Sequence, residues 1–199
     1  SNYNQRLSNI VYMGMGEPLL NYRNVVESIE KITSDDGLGM SPKRITVSTA
    51  GIAKMIKKLA DDEVRFNLAL SLHAANDKKR DYIMPINEQN SLGSLSEAMQ
   101  YFFNKTGIRP TYEYIIFKDF NDEIEDAREL ALFTKVTPCK INIIQYNPID
   151  NGEFQQANSD KVDRFVQYLE SKNMIINVRR SRGKDIDAAC GQLANKLAK

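Results

Sequence analysis

Residues 10–20 read IVYMGMGEPLL, a short apolar run that breaks into Gly14 and Gly16, then Glu17, then Pro18. The run predicts a buried strand. Its end places bare backbone and one carboxylate at a strand's C-terminal edge, where α/β folds bind ligands. A dinucleotide fingerprint is excluded, because Leu19 stands at the third glycine position and Pro18 interrupts the turn. Two readings remain. Gly and Pro punctuate strand-to-helix turns everywhere. Alternatively, the bare backbone at Gly14 and Gly16 admits a ligand while Glu17 accepts from its cationic group. Pro18 biases Glu17 towards an extended conformation, which keeps the edge open.

Outward from this stretch the pattern repeats. Val25, Val26, Ile29 and Ile32 fall at helical spacing behind Asn21, a cap residue, and 34–42 (SDDGLGMSP) is turn chemistry. A strand over 44–48 (RITVS) precedes a helix starting at Gly51, with Ile52, Met55, Ile56 and Leu59 on one face. The third strand, 66–72 (FNLALSL), runs through Ser71-Leu72-His73 into a polar stretch, 76–91, that reads as a loop. Ser94 and Glu97 form a capping-box pattern for a helix that stops at Gly107. Strands follow over 112–117 (YEYIIF), 140–146 (KINIIQY) and 174–178 (MIINV), separated by helices opened by Asn121 or Asp122 and by Ser159. Strand alternates with helix throughout, and apolar strands this continuous call for a parallel sheet covered by helices. The fold class is α/β, a barrel or a doubly wound sheet, in a single domain over 1–199.

The totals narrow the function without deciding it. The 199 residues are 42% hydrophobic and 27% charged with a net charge of +1, so any basic surface is local. No apolar run is long enough to span a bilayer and no secretory signal is visible. Two distant cysteines, Cys139 and Cys190, suit a reducing, cytoplasmic setting. The start at Ser1-Asn2 without methionine, entering a strand within ten residues, reads as an excised piece with a cloning scar at 1–2.

The strand ends carry the candidate chemistry. Ser48 and Asn147 close the second and fifth strands with small donor–acceptor side chains, each able simply to cap the next segment. The only histidine, His73, fits a structural role equally well. Convergence distinguishes them: Glu17, Ser48, Ser71 and Asn147 fall at one edge and suit a small ligand with an amine, a carboxylate and sugar hydroxyls. Two cysteines and one histidine, none at metal-ligand spacing, exclude a metal site. Cys190, beside Gly191 and near cations, is either a buried thiol or a nucleophile. Cys139, at the opposite end of a strand, is structural. The run 179–184 (RRSRGK) is either a solvated face or a phosphate-binding segment.

With these residues in hand, the chain resembles the radical S-adenosylmethionine (SAM) methyltransferases that make 2-methyladenosine in 23S rRNA and tRNA. The stretches that carry the resemblance are MGMGEPLLN, RITVSTAGI, SLHAANDKKRDYIMPIN, CKINIIQYNP and RGKDIDAACGQL. It implies a radical SAM-type partial (βα)6 barrel, TIM-like and truncated at its N-terminal side, with 179–199 as the segment bearing the methyl carrier. By motif match, Gly16 and Glu17 would contact the methionyl part of SAM, and Ser48, Ser71, Leu72, His73 and Asn147 would hold the rest. Cys190 would be the S-methylcysteine carrier, and a second SAM, cleaved at a 4Fe-4S cluster fed by an electron donor, would generate the radical that activates its methyl. Arg179, Arg180, Arg182 and Lys184 would contact RNA. A sister activity at the 8-position of adenine shares these motifs and is the alternative. A non-catalytic RNA-binding module is a second alternative, and a metabolic barrel with a phosphate site is disfavoured because no Gly-rich loop follows the last strands.

The family's C-x3-C-x2-C loop, which holds the cluster, is absent from these residues, as are its resolving cysteine and proposed acid–base glutamate. The 199 residues alone are therefore expected to bind no cluster and to turn over nothing. Iron and sulfide analysis after anaerobic reconstitution checks this, and stoichiometric iron would contradict it.

Overall fold

Six strands lie in one sheet, all parallel, in the order of the chain. The structure, a computed structural model, describes residues 7–148 and 152–179. The strands are β1 (Ile10–Tyr12), β2 (Ile45–Thr49), β3 (Asn67–Ser71), β4 (Thr111–Ile116), β5 (Lys140–Gln145) and β6 (Ile176–Arg179). The helices are α1 (Tyr22–Thr33), α2 (Ala53–Asp61), α3 (Asp77–Ile83), α4 (Leu92–Thr106), α5 (Ile124–Thr134) and α6 (Ser159–Ser171). A doubly wound sheet reverses its strand order partway. Here each crossover leads to the next strand, so the helices gather on one side and the sheet curls as a partial barrel.

The two faces differ in chemistry. Ile45, Val47, Leu68, Leu70, Tyr112, Tyr114, Ile141 and Ile143 alternate along β2 to β5 and are buried in one core with Ile56, Leu95, Phe102, Leu130 and Phe165 from the helices. The intervening positions hold Thr46, Ser48, Asn67, Ser71, Glu113 and Asn142, which face the concave side. The sheet is therefore covered by helices on its outer face only, and the concave face is mostly polar, with Ala69, Ile115 and Ile144 among its residues. Gly51 is required where β2 turns towards α2. It sits at φ +105°, and a Cβ there would meet Leu95 Cδ2 at 2.9 Å and Leu70 Cδ1 at 3.0 Å.

Several helix starts differ from the sequence expectation. α2 begins two residues after Gly51, and its first amide, Ala53 N, donates to Asn90 Oδ1 at 2.9 Å. α4 is capped by Ser91, which accepts from Ser94 N, so Ser94 lies inside the helix. α5 is capped by Glu123, not Asn121 or Asp122, and Glu123 N donates to Asp126 Oδ2 at 3.2 Å. α6 is preceded by Asn158, with Ser159 as its first residue. Gly107 ends α4 in the left-handed conformation, as expected.

The largest departure is 76–91, which is not a loop. Asn76 caps α3, accepting from Lys79 N at 3.3 Å, and Pro85 opens a 3-10 turn, Pro85–Glu88. Arg80 from α3 is completely buried. Its Nε donates to Leu72 O (3.2 Å), one terminal nitrogen to Asn87 Oδ1 (2.7 Å), and the other to Ala50 O (2.6 Å) and Ser71 O (3.3 Å). Asn87 in turn donates to Asp77 and Asp81. Burial pushes the guanidinium down to about 10 while Asp77 and Asp81 hold it up, so it stays charged at neutral pH. Periodicity missed the segment because its buried anchor is an arginine.

Arg80→Met keeps the length but removes the guanidinium donors to the Ala50, Ser71 and Leu72 carbonyls and to Asn87 Oδ1, and Leu72 O keeps only Ala74 N. The expected cost is about 3–5 kcal/mol in urea unfolding, and Arg80→Lys is expected to recover only part of it, since a point charge cannot span the fork.

Candidate functional site

The C-terminal ends of the strands meet at a cleft of about 250 Å³ on the concave side, lined by Met13, Ser48, Ser71, His73, Glu113, Asn147 and Arg179, with Ile115, Ile144 and Tyr146 as its apolar part. The structure thus brings together most of the residues nominated at the strand ends.

At β1 the turn leaves backbone bare. Gly16 takes φ +89°, and a Cβ at Gly14 or Gly16 would find nothing within 4 Å. The Glu17 carboxylate, expected as an amine partner, is turned to protein donors: Oε1 accepts from Thr49 Oγ1 (2.7 Å) and Leu19 N (3.0 Å), Oε2 from Ala50 N (2.6 Å). It pins the end of β1 to the end of β2. Three donors leave the carboxylate with further acceptor capacity, and the turn beside it exposes open glycine backbone.

Ser48 and Ser71 are adjacent on the concave face, their hydroxyl oxygens 3.5 Å apart. Leu72 is buried in the core and contributes backbone only, its N donating to Glu113 O at 2.9 Å. His73 takes a left-handed backbone, φ +56°, uncommon outside glycine. Its Nδ1 accepts from Ile115 N at 3.1 Å. Burial, reinforced by the Arg80 cation, pushes its pKa down to about 4. The ring is neutral at pH 7, and because Nδ1 accepts, Nε2 carries the proton. Asn147 is buried at the end of β5.

Three features escaped the sequence. Asn121, expected to open a helix, is fully buried; its Nδ2 donates to His73 O (2.7 Å) and Ile115 O (2.8 Å), and its Oδ1 accepts from Phe117 N (2.6 Å). It holds the unusual His73 backbone in place. Glu113 is buried on the concave face, accepting from Asn142 Nδ2 at 2.8 Å, and Asn142 accepts from Asn177 Nδ2 at 3.2 Å. Arg179, nominated for RNA, is the third: its guanidinium lines the cleft, 3.5 Å from Glu113 Oε2. The alternating polar positions in TYEYII and KINIIQ were the available signal. Cys190, Arg180, Arg182 and Lys184 lie outside the described residues.

Cys139 is at the far end of β5; burial pushes its thiol up to about 11 and its Sγ donates to Thr134 O at 3.7 Å. Asp119, Asp122 and Glu123 are close enough to share a metal, but Lys161 Nζ lies 3.0, 3.3 and 2.6 Å from them and already supplies the cation. No helix among the described residues is long and apolar enough to cross a membrane.

No family model matches the chain. Curated relatives do: a probable dual-specificity RNA methyltransferase RlmN from Christiangramia forsetii is 59% identical over 98% of this chain and 56% of its own length. A protein of the same name from Flavobacterium psychrophilum is 58% identical over the same shares. The chain spans about half the length of the curated relatives it matches. A crystal structure of a radical SAM methyltransferase from Sphaerobacter thermophilus superposes with a TM-score of 0.93 at 37% identity, covering 96% of this chain and 56% of that one. A domain of pyruvate-formate lyase-activating enzyme from Bacteroides vulgatus shares the fold, with a TM-score of 0.67 at 12% identity, covering 87% of this chain and all of that one. The resemblance carried by five stretches thus extends along nearly the whole chain, in sequence and in fold.

The depressed His73 pKa links protonation to folding. The stability it confers is fully present above its ordinary value near 6.5 and is lost as pH falls towards 4. Urea unfolding at pH 7.5 and pH 4.5 is expected to show a larger loss in the wild type than in His73→Gln; equal losses would contradict a buried neutral imidazole.

Proposed function

We infer that this chain is the larger part of the catalytic barrel of a radical SAM RNA methyltransferase, of the family whose members match it over 98% of its length. The observation that carries the reading is the strand-end cleft, where Ser48, Ser71, His73 and Asn147 of the nominated residues meet. Its donor set fits SAM. The open backbone at Gly14 and Gly16 suits the amino-acid part, and the Ser48 and Ser71 hydroxyls donate or accept as a sugar requires. The His73 Nε2–H supplies a fixed donor, and Asn147 completes the far wall. Glu17 ties the β1 turn to β2, and the acceptor capacity left beside its three protein donors would receive the SAM amino group. When bound, SAM would supply both a methyl group and the radical that activates it.

The 4Fe-4S cluster does not fit these 199 residues. Two cysteines cannot provide three thiolates, and Cys139 is a protonated thiol at the wrong end of β5. The cluster and the chemistry that depends on it belong to the full-length protein, with an electron donor. In that protein Cys190 would carry the methyl, and Arg180, Arg182 and Lys184 would hold RNA phosphates. The substrates would be 23S rRNA and tRNA in the cytoplasm, with modification at the 2-position of adenine and the 8-position as the alternative.

Titration of the 199-residue chain with SAM is expected to show saturable binding that Ser71→Ala and His73→Ala each weaken roughly tenfold, one hydrogen bond's worth. In the full-length enzyme, Cys190→Ala is expected to abolish methylation and retain RNA binding. Retained methylation would overturn the carrier assignment, and mass mapping of the modified adenine separates the 2- from the 8-position.

A further inference from the structure

Glu113 is 4% exposed, and its protein partners offset its charge only in part. Oε1 accepts from Asn142 Nδ2 at 2.8 Å, and Oε2 lies 3.5 Å from one terminal nitrogen of Arg179. One amide and one long ionic contact are little for a carboxylate removed from water. The contact does fix where the Arg179 guanidinium goes. Arg179 on β6 is in register with Ile144 on β5, and Ile144 with Ile115 on β4. The guanidinium instead meets Glu113, two residues before Ile115. The side chain therefore crosses β5 and turns back along the concave face, away from the rim where a macromolecule would approach.

Arg179 and Glu113 are the only charged groups among the described residues that line the cleft. About half of the Arg179 side chain is exposed, and Glu113 takes one of its five N–H donors. The other four have no partner among the described residues. Glu113 is the register partner of Ser71, so the anchor of the guanidinium stands one strand spacing, roughly 5 Å, from a serine nominated for the sugar. An arginine with unused donors, open to a ligand cleft and aimed by a buried carboxylate, has the chemistry of a carboxylate site.

We propose that Arg179 binds the carboxylate of SAM and that Glu113 positions the guanidinium for it. The proposal rests on the SAM reading of the cleft and assigns the one polar group of that ligand still without a partner. The amine goes to Glu17, the sugar hydroxyls to Ser48 and Ser71, and the carboxylate to the cleft's single cation. A guanidinium fork can serve two carboxylates at once, one edge towards Glu113 and the other towards the ligand. SAM carries an amine, a sulfonium and a carboxylate, a net single positive charge. Glu17, Glu113 and Arg179 together carry a net single negative one, so the occupied site is neutral. Arg179 thereby becomes a cofactor residue, and the RNA phosphates are left to Arg180, Arg182 and Lys184.

The test titrates the 199-residue chain with SAM and with decarboxylated SAM, which keeps the amine, sulfonium and sugar and lacks only the carboxylate. The wild type is expected to bind SAM roughly tenfold more tightly, the worth of one charged hydrogen bond. Arg179→Gln is expected to lose that margin, weakening SAM roughly tenfold and leaving decarboxylated SAM within about twofold. Arg179→Lys keeps the charge without the fork and is expected to retain part of the margin. Glu113→Gln keeps the bond from Asn142 and is expected to narrow the margin roughly threefold, because the guanidinium is no longer aimed. An undiminished margin in Glu113→Gln would overturn its positioning role. Equal losses of both ligands in Arg179→Gln would mean a structural arginine and overturn the carboxylate contact. Unchanged SAM binding with weakened binding of a tRNA transcript would mean an RNA contact and overturn it too. Equal wild-type affinities for the two ligands would overturn it while leaving the SAM reading intact. Failure of the wild type to bind either ligand would instead tell against the SAM reading, and the assignment would fall with it.

Discussion

A guanidinium shut away from water holds the ligand end of this sheet together. Where parallel strands stop, their last carbonyls and amides lose their ladder partners. Arg80 answers the carbonyls of Ala50, Ser71 and Leu72 with one rigid fork. Glu17 answers the amides of Leu19 and Ala50 and the Thr49 hydroxyl with one carboxylate. Ala50 lies between the two, its N–H on Glu17 and its carbonyl on Arg80, each at 2.6 Å. Two opposite charges thus satisfy the end of β2 from both sides. The cleft depends on this, because Ser48 and Ser71 are in place only while β2 and β3 stop where they do.

The alternation of strand and helix was legible, since Val25–Ile29–Ile32 and Ile56–Leu59 fall at helical spacing between short apolar runs such as ITVST and NLALS. The convergence of Ser48, Ser71 and Asn147 at one strand-end cleft was legible as well. The unread parts share one physical property: their anchors are polar. Arg80 nucleates a buried turn where apolar spacing finds nothing. Asn121 looks like a helix cap, yet its side chain is committed to β4 and His73. Glu113 sits inside a strand whose other buried residues are tyrosines and isoleucine, and only three-dimensional pairing with Asn142 shows that it faces the concave side. Such groups are located by the partners they satisfy, and those partners are distant in sequence.

The same logic separates the two faces of the sheet. The outer face is fixed by area removed from water and tolerates any well-packed apolar set. The concave face is fixed by donor–acceptor matching, where a single unpaired atom is costly. Ser48, Ser71, Glu113 and Arg179 line the cleft, Asn142 donates to Glu113 beside them, and the helices leave that face open.

The strand order has a consequence for how the molecule comes into being. Every hydrogen-bonded strand pair joins neighbours in the chain, so each unit can dock on the one before it as the polypeptide emerges from the ribosome. No strand has to wait for a later one to open a gap. The cleft, in contrast, takes residues from the end of β1 through to Arg179 on β6. Assembly that is local at every step therefore completes the cleft only when β6 docks.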